Sequence, residues 1–277
     1  MKGNIYRGLL LYAVMKDEMD QLRNAMQRAG KSVLQSITND LNTKCKANGD
    51  LVTRIDFEVN RILKECLMKN FPEDGWLSEE TLDSRDRLKK KRVWIVDPID
   101  GTKELVGGIP EFAISVALVQ DHRPVMAAVY NPITDELFTA SRGEGIWLNG
   151  EPSRSGRLVG ERLVILASRS EFKNGKFKPF ERYAEVRPVG SIAYKLALVA
   201  TGKADATFSL EPKNEWDIAA GVLLVEESGG RTADREGISF LFNRANTLVN
   251  GIVAARADAY AKVETLIKGR GRGQIFC

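Results

Sequence analysis

A chain of 277 residues, 43% hydrophobic and 28% charged, can bury a sizeable core in one large or two smaller domains. Lys and Arg total 41 against 37 acids, and the resulting formal charge of +4 is too small to indicate a polyanionic partner. With His122 as the only histidine and three scattered cysteines (Cys45, Cys66, Cys277), histidine triads, zinc clusters and disulfide frameworks are excluded, which leaves carboxylates, hydroxyls and lysines to carry any chemistry.

The basic runs Lys89-Lys90-Lys91-Arg92 and 268–272 read as solvated surface, so no nucleic-acid partner is expected. No signal peptide is visible, and the expected compartment is the reducing cytoplasm. The apolar run 9–14 is too short to span a bilayer and reads as the buried stripe of a helix, so no membrane partner is expected.

In chain order, residues 5–37 carry apolar side chains at helical spacing (Leu10, Val14, Met19, Leu22, Met26, Ala29, Val33, Ile37) and predict one long or broken helix. Asn48-Gly49-Asp50 is a turn signal. A second helix is expected from Asp56, a good N-cap type, with Val59, Ile62, Leu63, Cys66 and Leu67 on its inner face, ending at 71–75. A short extended piece, 76–78, leads into Glu79-Glu80, and 81–92 reads as a charged surface excursion.

Strands follow at 93–96, 112–119, 125–130, 136–140 and 146–148, the last ending in the hairpin dipeptide Asn149-Gly150. The stretch 151–160, rich in Ser, Gly and Arg, reads as a linker. Short strands and helices then alternate: 163–167, 177–183, 185–187, a helix over 191–201, a strand over 204–208, a helix over 216–228, a strand over 248–254 and a helix over 257–267. The pattern predicts an α+β unit (1–150) followed by an α/β unit (151–277), with a frayed Gly-rich tail.

Four places set acids at structural boundaries. Asp97 and Asp100 bracket Pro98-Ile99 where an apolar strand ends. Glu79-Glu80 follows a short strand, Asp217 opens a helix, and Asp50 and Asp56 flank Leu51-Val52-Thr53-Arg54-Ile55. Taken singly, Asp97-Pro98 reads as a turn, Asp56 or Asp217 as a helix cap, and Glu79-Glu80 as surface. The set is harder to dismiss, because a carboxylate ending an apolar strand must be solvated, paired or bound to an ion. An all-oxygen donor set suits Mg²⁺ far better than Zn²⁺.

The run Asp97-Pro98-Ile99-Asp100-Gly101-Thr102, with Ser78-Glu79-Glu80 upstream and Trp216-Asp217-Ile218-Ala219-Ala220-Gly221 downstream, resembles the inositol monophosphatase superfamily of Mg²⁺-dependent, lithium-sensitive phosphatases. Gly190-Ser191, Asn131-Pro132 and Glu226-Glu227-Ser228-Gly229-Gly230 extend the resemblance over roughly residues 10–255. It implies a layered α-β-α-β-α sandwich of the inositol monophosphatase/fructose-1,6-bisphosphatase type, two or three Mg²⁺ ions, a small phosphorylated metabolite as substrate, and a homodimer. It assigns Glu79, Asp97 and the Ile99 carbonyl to one metal, and Asp97, Asp100 and Asp217 to a second. A third, weaker ion is implied near Glu79 and Asp56. Asp56 and Thr102 would orient and deprotonate the attacking water, with Glu79 completing the catalytic set, and Gly101 and Thr102 would offer backbone N–H groups to phosphate. That chemistry is physically apt: a phosphate monoester is doubly negative, its leaving alkoxide is poor, and paired cations relieve both problems.

The substrate is less marked. Lys103-Glu104 after the threonine and Pro212-Lys213-Asn214-Glu215-Trp216-Asp217 resemble the 3'(2'),5'-bisphosphate nucleotidase branch, with Lys103 and Lys213 available to a second phosphate and Gly190 and Ser191 also facing the substrate. Gly108-Ile109-Pro110 and the run from Asp217 to Leu223 resemble the inositol phosphatase branch. The balance leans toward the nucleotidase, hydrolysing adenosine 3',5'-bisphosphate, with inositol-1-monophosphatase or another sugar or polyol phosphatase as the alternative. A catalytically silent binding or RNA-associated protein is the alternative of another class; the presence of every expected acid and of Thr102 speaks against it.

Overall fold

The computed structural model describes residues 2–38, 41–47, 49–154, 156 and 162–269, with side chains from residue 15 onward. Helix α1 (Lys2–Ser36) is followed by the small hairpin β1 (Lys44–Cys45) and β2 (Leu51–Val52), then α2 (Arg54–Asn70). Strands β3 (Gly75–Ser78), β4 (Arg92–Asp100), β5 (Ala113–Gln120), β6 (Arg123–Asn131), β7 (Glu136–Ser141), β8 (Ile146–Leu148) and β9 (Glu151–Ser153) follow, with the one-turn helix α3 (Thr102–Val106) between β4 and β5. The remainder comprises β10 (Leu163–Ser168), α4 (Arg169–Lys173), β11 (Ala184–Val189), α5 (Ile192–Ala200), β12 (Ala206–Ser209), β13 (Lys213–Asn214), α6 (Glu215–Glu227), β14 (Arg231–Ala233), β15 (Leu248–Val249), β16 (Ile252–Ala255) and α7 (Ala257–Gly269).

Strands β3 to β9 lie in chain order in a seven-stranded sheet, antiparallel except for the parallel pair β3–β4. The second sheet has five strands in the order β11-β10-β12-β16-β14. Three apolar layers bind the whole. Trp94, Val96, Ile114, Val116 and Leu118 face α1 and α2. Val93, Ile95, Ala117 and Val119 face α5 and α6, which also cover Leu166 and Ala254 of the second sheet. Phe177, Phe180, Phe208 and Tyr260 close the far side under α7. The result is an α-β-α-β-α sandwich, and its central strands are apolar on both faces because both faces are covered.

Helix α2 shows how the local sequence is read out. Ile55, Val59, Leu63 and Leu67, four residues apart, are all buried and form one stripe toward the sheet. Its N-cap is Thr53 rather than Asp56: Asp56 sits at the third helical position and closes a capping box, accepting from the Thr53 N–H at 2.8 Å. The expected excursion 81–92 holds a short 3-10 turn (Arg85–Lys89), and Arg87 within it is only 2% exposed. Its guanidinium donates to Asn243 Oδ1 at 2.7 Å and to the Arg244 carbonyl at 3.0 Å, so this segment is bolted to the other half of the chain.

Other expectations shift slightly. The strand expected over 248–254 is split in two at Gly251, where φ is 72°. Within the expected element 177–183 lies only a 3-10 turn, Lys178–Phe180. The expected linker begins as edge strand β9, paired to β8 across Asn149-Gly150 with φ of 52° and 83° at the turn; most of 154–160, the side chains of Leu10 and Val14, and the tail beyond 269 lie outside the described residues. No helix among the described residues is long and apolar enough to cross a membrane.

Candidate active site

Two strand ends and two helix starts build the site. In the parallel pair, Ser78 lies opposite Val96, so the next residues along the two strands are Glu79 and Asp97, and the Glu79 N–H donates to the Val96 carbonyl at 3.2 Å. Against β5 the register holds as far as Asp97 opposite Ser115, then slips so that Asp100 lies opposite Ala113. One extra residue is thereby inserted at Pro98-Ile99, where proline has no N–H to give the ladder. The bulge reverses the alternation: Ile99 joins the outer apolar layer with Trp94 and Val96, and Asp100 falls on the same side as Asp97.

Asp217 arrives from the third position of α6 and accepts from the Asn214 N–H at 2.8 Å. One carboxylate oxygen each from Glu79, Asp97 and Asp217 lies within 4.8 Å of the others. Asp100 opens toward the same cleft, with its Oδ2 accepting from Ser191 Oγ and from the Ala193 N–H, each at 2.6 Å. The chain thus gathers four acids, of which only Glu79 has an ion-pair partner, Lys46, among the described residues. Burial, and then repulsion from Glu79, Asp100 and Asp217, push Asp97 well above the ordinary carboxylate range. Burial and Asp100 push Asp217 up to about 8. Buried, mutually repelling carboxylates with only oxygen to offer fit a hard divalent cation, which removes the repulsion that raises them.

Thr102, the first residue of α3, donates its hydroxyl to Asp56 Oδ1 at 2.9 Å or to the Ile99 carbonyl at 3.1 Å. Burial raises Asp56, against the bonds from Thr53 and Thr102. Gly101 adopts a φ of 103°, and a Cβ there would meet Phe112 Cβ at 3.1 Å and the Glu111 carbonyl at 3.2 Å; both conditions call for glycine.

The four acids of the cluster, Gly101 and Thr102 open onto a cleft of about 250 Å³, with Asp56 buried behind Thr102, and the cleft is also lined by Lys103, Glu104, Ser168, Arg169, Ser170, Lys195, Ser209 and Lys213. Gly190 and Ser191 line it too, but they direct their donors inward: the Gly190 N–H to Glu111 Oε2 at 2.8 Å, the Ser191 hydroxyl to Asp100. Lys103 is exposed, with its ammonium 3.4 Å from Asp50. The Lys213 ammonium has no hydrogen-bond or ion-pair partner among the described residues.

Several residues of the site carry no mark in the sequence strong enough to single them out. Lys46 reaches from the β1–β2 hairpin to Glu79 Oε1 at 2.8 Å and to Glu80 Oε1. Burial works against its charge, but the two carboxylates outweigh that and hold Lys46 above the usual lysine range. Arg169 is clamped to both oxygens of Glu111, at 2.6 and 2.7 Å. Lys195 is buried at the start of α5, where burial pulls it down to about 8. Its one sequence signal is a lysine inside the apolar run Ile192-Ala193-Tyr194-Lys195-Leu196-Ala197.

The inositol monophosphatase family model matches residues 15–268. An inositol-1-monophosphatase of Rhizobium meliloti (strain 1021) is 38% identical over 224 residues, 77% of this chain and 84% of that protein. The Nus factor SuhB of Escherichia coli (strain K12) is 35% identical over 203 residues, 69% of this chain and 74% of that protein. Among solved structures, the IMPase of Thermotoga maritima superimposes with a TM-score of 0.81 at 28% identity, covering 93% of this chain and 99% of that one. With matched motifs, matched fold and matched length, this chain belongs to the inositol monophosphatase family and is a metal-dependent phosphoric monoester hydrolase.

Proposed function

We propose that this chain is a cytoplasmic, Mg²⁺-dependent and lithium-sensitive phosphomonoesterase, working as a homodimer on a small polyol or sugar phosphate, with inositol 1-phosphate as the first substrate to test. One observation carries the reading: the acidic cluster and Thr102, whose hydroxyl is bonded to the buried Asp56, open together onto a single small cleft whose wall includes the hydroxyls of Ser168, Ser170 and Ser209 and the carboxylate of Glu104. Such a wall offers hydrogen bonds to a polyhydroxylated substrate. The name of the Rhizobium relative supports the same substrate class.

In this reading Glu79, Asp97 and the Ile99 carbonyl hold one cation, and Asp97, Asp100 and Asp217 hold another. Bound Mg²⁺ supplies neutralisation of phosphoryl charge and a lowered pKa for the attacking water. The chain's own residues then handle the proton: Thr102 Oγ1 accepts it from the water while passing its own to Asp56 Oδ1, whose raised affinity for protons makes it a competent acceptor. The N–H groups of Gly101 and Thr102 receive phosphate oxygens. Glu79 supports catalysis through the cation it holds.

A second reading, the 3'(2'),5'-bisphosphate nucleotide, is favoured by Lys213, whose ammonium has no hydrogen-bond or ion-pair partner among the described residues, and by the nearness of Lys195, which together provide positive charge for a further phosphate. Lys103 adds less, being turned to Asp50. Phosphate release with excess Mg²⁺ from inositol 1-phosphate and from adenosine 3',5'-bisphosphate decides between them. A higher kcat/KM on the inositol ester is expected; the reverse order moves the assignment to the nucleotide. Release from no ester in a broad panel rejects the enzymatic reading and leaves a binding role of the kind that the Nus factor name of the E. coli relative indicates.

A further inference from the structure

Lys195 is 3% exposed, and no carboxylate lies within ion-pairing distance of its ammonium among the described residues. Its three hydrogen bonds go to consecutive main-chain carbonyls: Val189 at 3.0 Å, Gly190 at 3.3 Å and Ser191 at 2.8 Å. A methionine would fill the same space without desolvating a charge, so the ammonium is an expensive way to pack a helix. Its effect is on the turn between β11 and α5. There Ser191 has a φ of 49°, a left-handed conformation that a residue with a side chain keeps only when its surroundings hold it.

The turn is held on several sides. Lys195 gathers its carbonyls, and Glu111, itself locked by Arg169, takes the Gly190 N–H. A Cβ at Gly190 would lie 2.4 Å from Glu104 Cγ, so the turn also packs tightly against helix α3. Its output is two donors on one atom, the Ser191 hydroxyl and the Ala193 N–H on Asp100 Oδ2. That arrangement orients the carboxylate and leaves its other oxygen for a cation.

We propose that Lys195 is a positioning residue of the metal site: by collecting the carbonyls of Val189, Gly190 and Ser191 it fixes the turn that orients Asp100. The inference rests on the reading of Asp100 as a metal ligand, and the test separates the two. Mg²⁺ binding is measured by calorimetry without substrate for the wild type and for Lys195→Met, Ser191→Ala and Asp100→Asn, alongside Tm and the kcat and KM at saturating Mg²⁺. Lys195→Met and Ser191→Ala are expected to bind Mg²⁺ about 10–100-fold more weakly, the usual effect of removing a group that orients a ligand, with KM close to wild type. A lowered Tm with unchanged Mg²⁺ affinity means a merely structural lysine and overturns the proposal. So does a raised KM with unchanged Mg²⁺ affinity, which marks a substrate contact. Full Mg²⁺ affinity in Asp100→Asn overturns the ligand reading itself. If Lys195→Met does not fold, Ser191→Ala, which keeps the ammonium and cuts the link to Asp100, decides the matter.

Discussion

The Thr102 hydroxyl lies 2.9 Å from Asp56 Oδ1, joining two residues 46 positions apart. The other Asp56 oxygen is taken by the Thr53 N–H and hydroxyl, at 2.8 and 2.6 Å, so the carboxylate cannot swing away from Thr102. Thr102→Ala is expected to lower kcat by roughly 10²–10⁴-fold, the range for loss of a proton-transfer group, while Mg²⁺ binding persists. Thr102→Ser restores most of the rate. Steady-state kinetics of the pair checks this; an alanine variant with wild-type kcat removes the relay.

Burial and its acidic neighbours oppose a charge on Asp97. Asp97→Asn is expected to make the metal-free protein more stable by roughly 0.5–2 kcal/mol while abolishing activity. Thermal unfolding in EDTA and in Mg²⁺ reads both effects: the variant gains Tm without metal and loses the Tm rise that metal confers on the wild type. A destabilised variant in EDTA contradicts the assignment of strain to this carboxylate.

The same repulsion sets a pH dependence. Asp97 and Asp217 are raised in the folded state, Asp217 to about 8, so the folded protein holds protons that the unfolded chain releases from about pH 4 upward. Their contribution is therefore most favourable at low pH and is lost as pH rises from about 4 to about 8. Glu79 and Asp56 are raised too and act with the same sign. In EDTA, Asp97→Asn and Asp217→Asn should show a flatter decline in stability over this window than wild type. Denaturant midpoints measured across it provide the check, and parallel curves would reject the account.

Lys46 holds Glu79 and Glu80 with a positive charge at the edge of the acidic cluster. Lys46→Met is expected to tighten Mg²⁺ binding a few-fold, because a competing cation is removed, with a larger gain at low ionic strength. Calorimetric titration at two salt concentrations measures it. Weaker binding would show that the hairpin helps to hold the metal.

Helices α5 and α6 cross closely enough that a Cβ at Gly221 would lie 2.4 Å from Leu196 Cδ1 and 2.5 Å from Leu196 Cβ. Gly221→Ala should cost about 1–3 kcal/mol through overpacking, read as a lower denaturant midpoint. Asp217 rides on the same helix, so Mg²⁺ affinity should fall with it.

Many element boundaries are legible in the order of the amino acids. The start of α5 follows from Ser191 and the apolar run behind it, and the stop of α6 from Gly229-Gly230, because caps and periodicity act within a few residues. Asp56 as N-cap is a near miss, since Thr53 three residues earlier caps the helix with its hydroxyl, and Asp56 closes the box with Oδ2 while its Oδ1 meets Thr102. Arg87 reads as surface because its local partner, Asp83, makes an ordinary i,i+4 ion pair, while Asn243 and Arg244, which tie it to the other half, stand 156 and 157 residues away and leave no local signal. The Glu111–Arg169 clamp, 58 residues across, is hidden for the same reason, whereas Lys195 is hidden because its nearby partners are main-chain carbonyls, which no residue type marks.

By itself, the sequence determined the donor set and the chemistry: oxygen ligands at strand and helix ends, a hydroxyl beside them, and no imidazole to compete. Only the tertiary structure decided which way those ligands point. The inserted residue at Pro98-Ile99 puts Asp97 and Asp100 on one side of β4, and the parallel pairing of β3 brings Glu79 alongside. Spacing alone would have placed Asp97 and Asp100 on opposite faces, since side chains alternate along a strand; a bulge is a property of two strands in register, and it exists only once β5 has paired with β4.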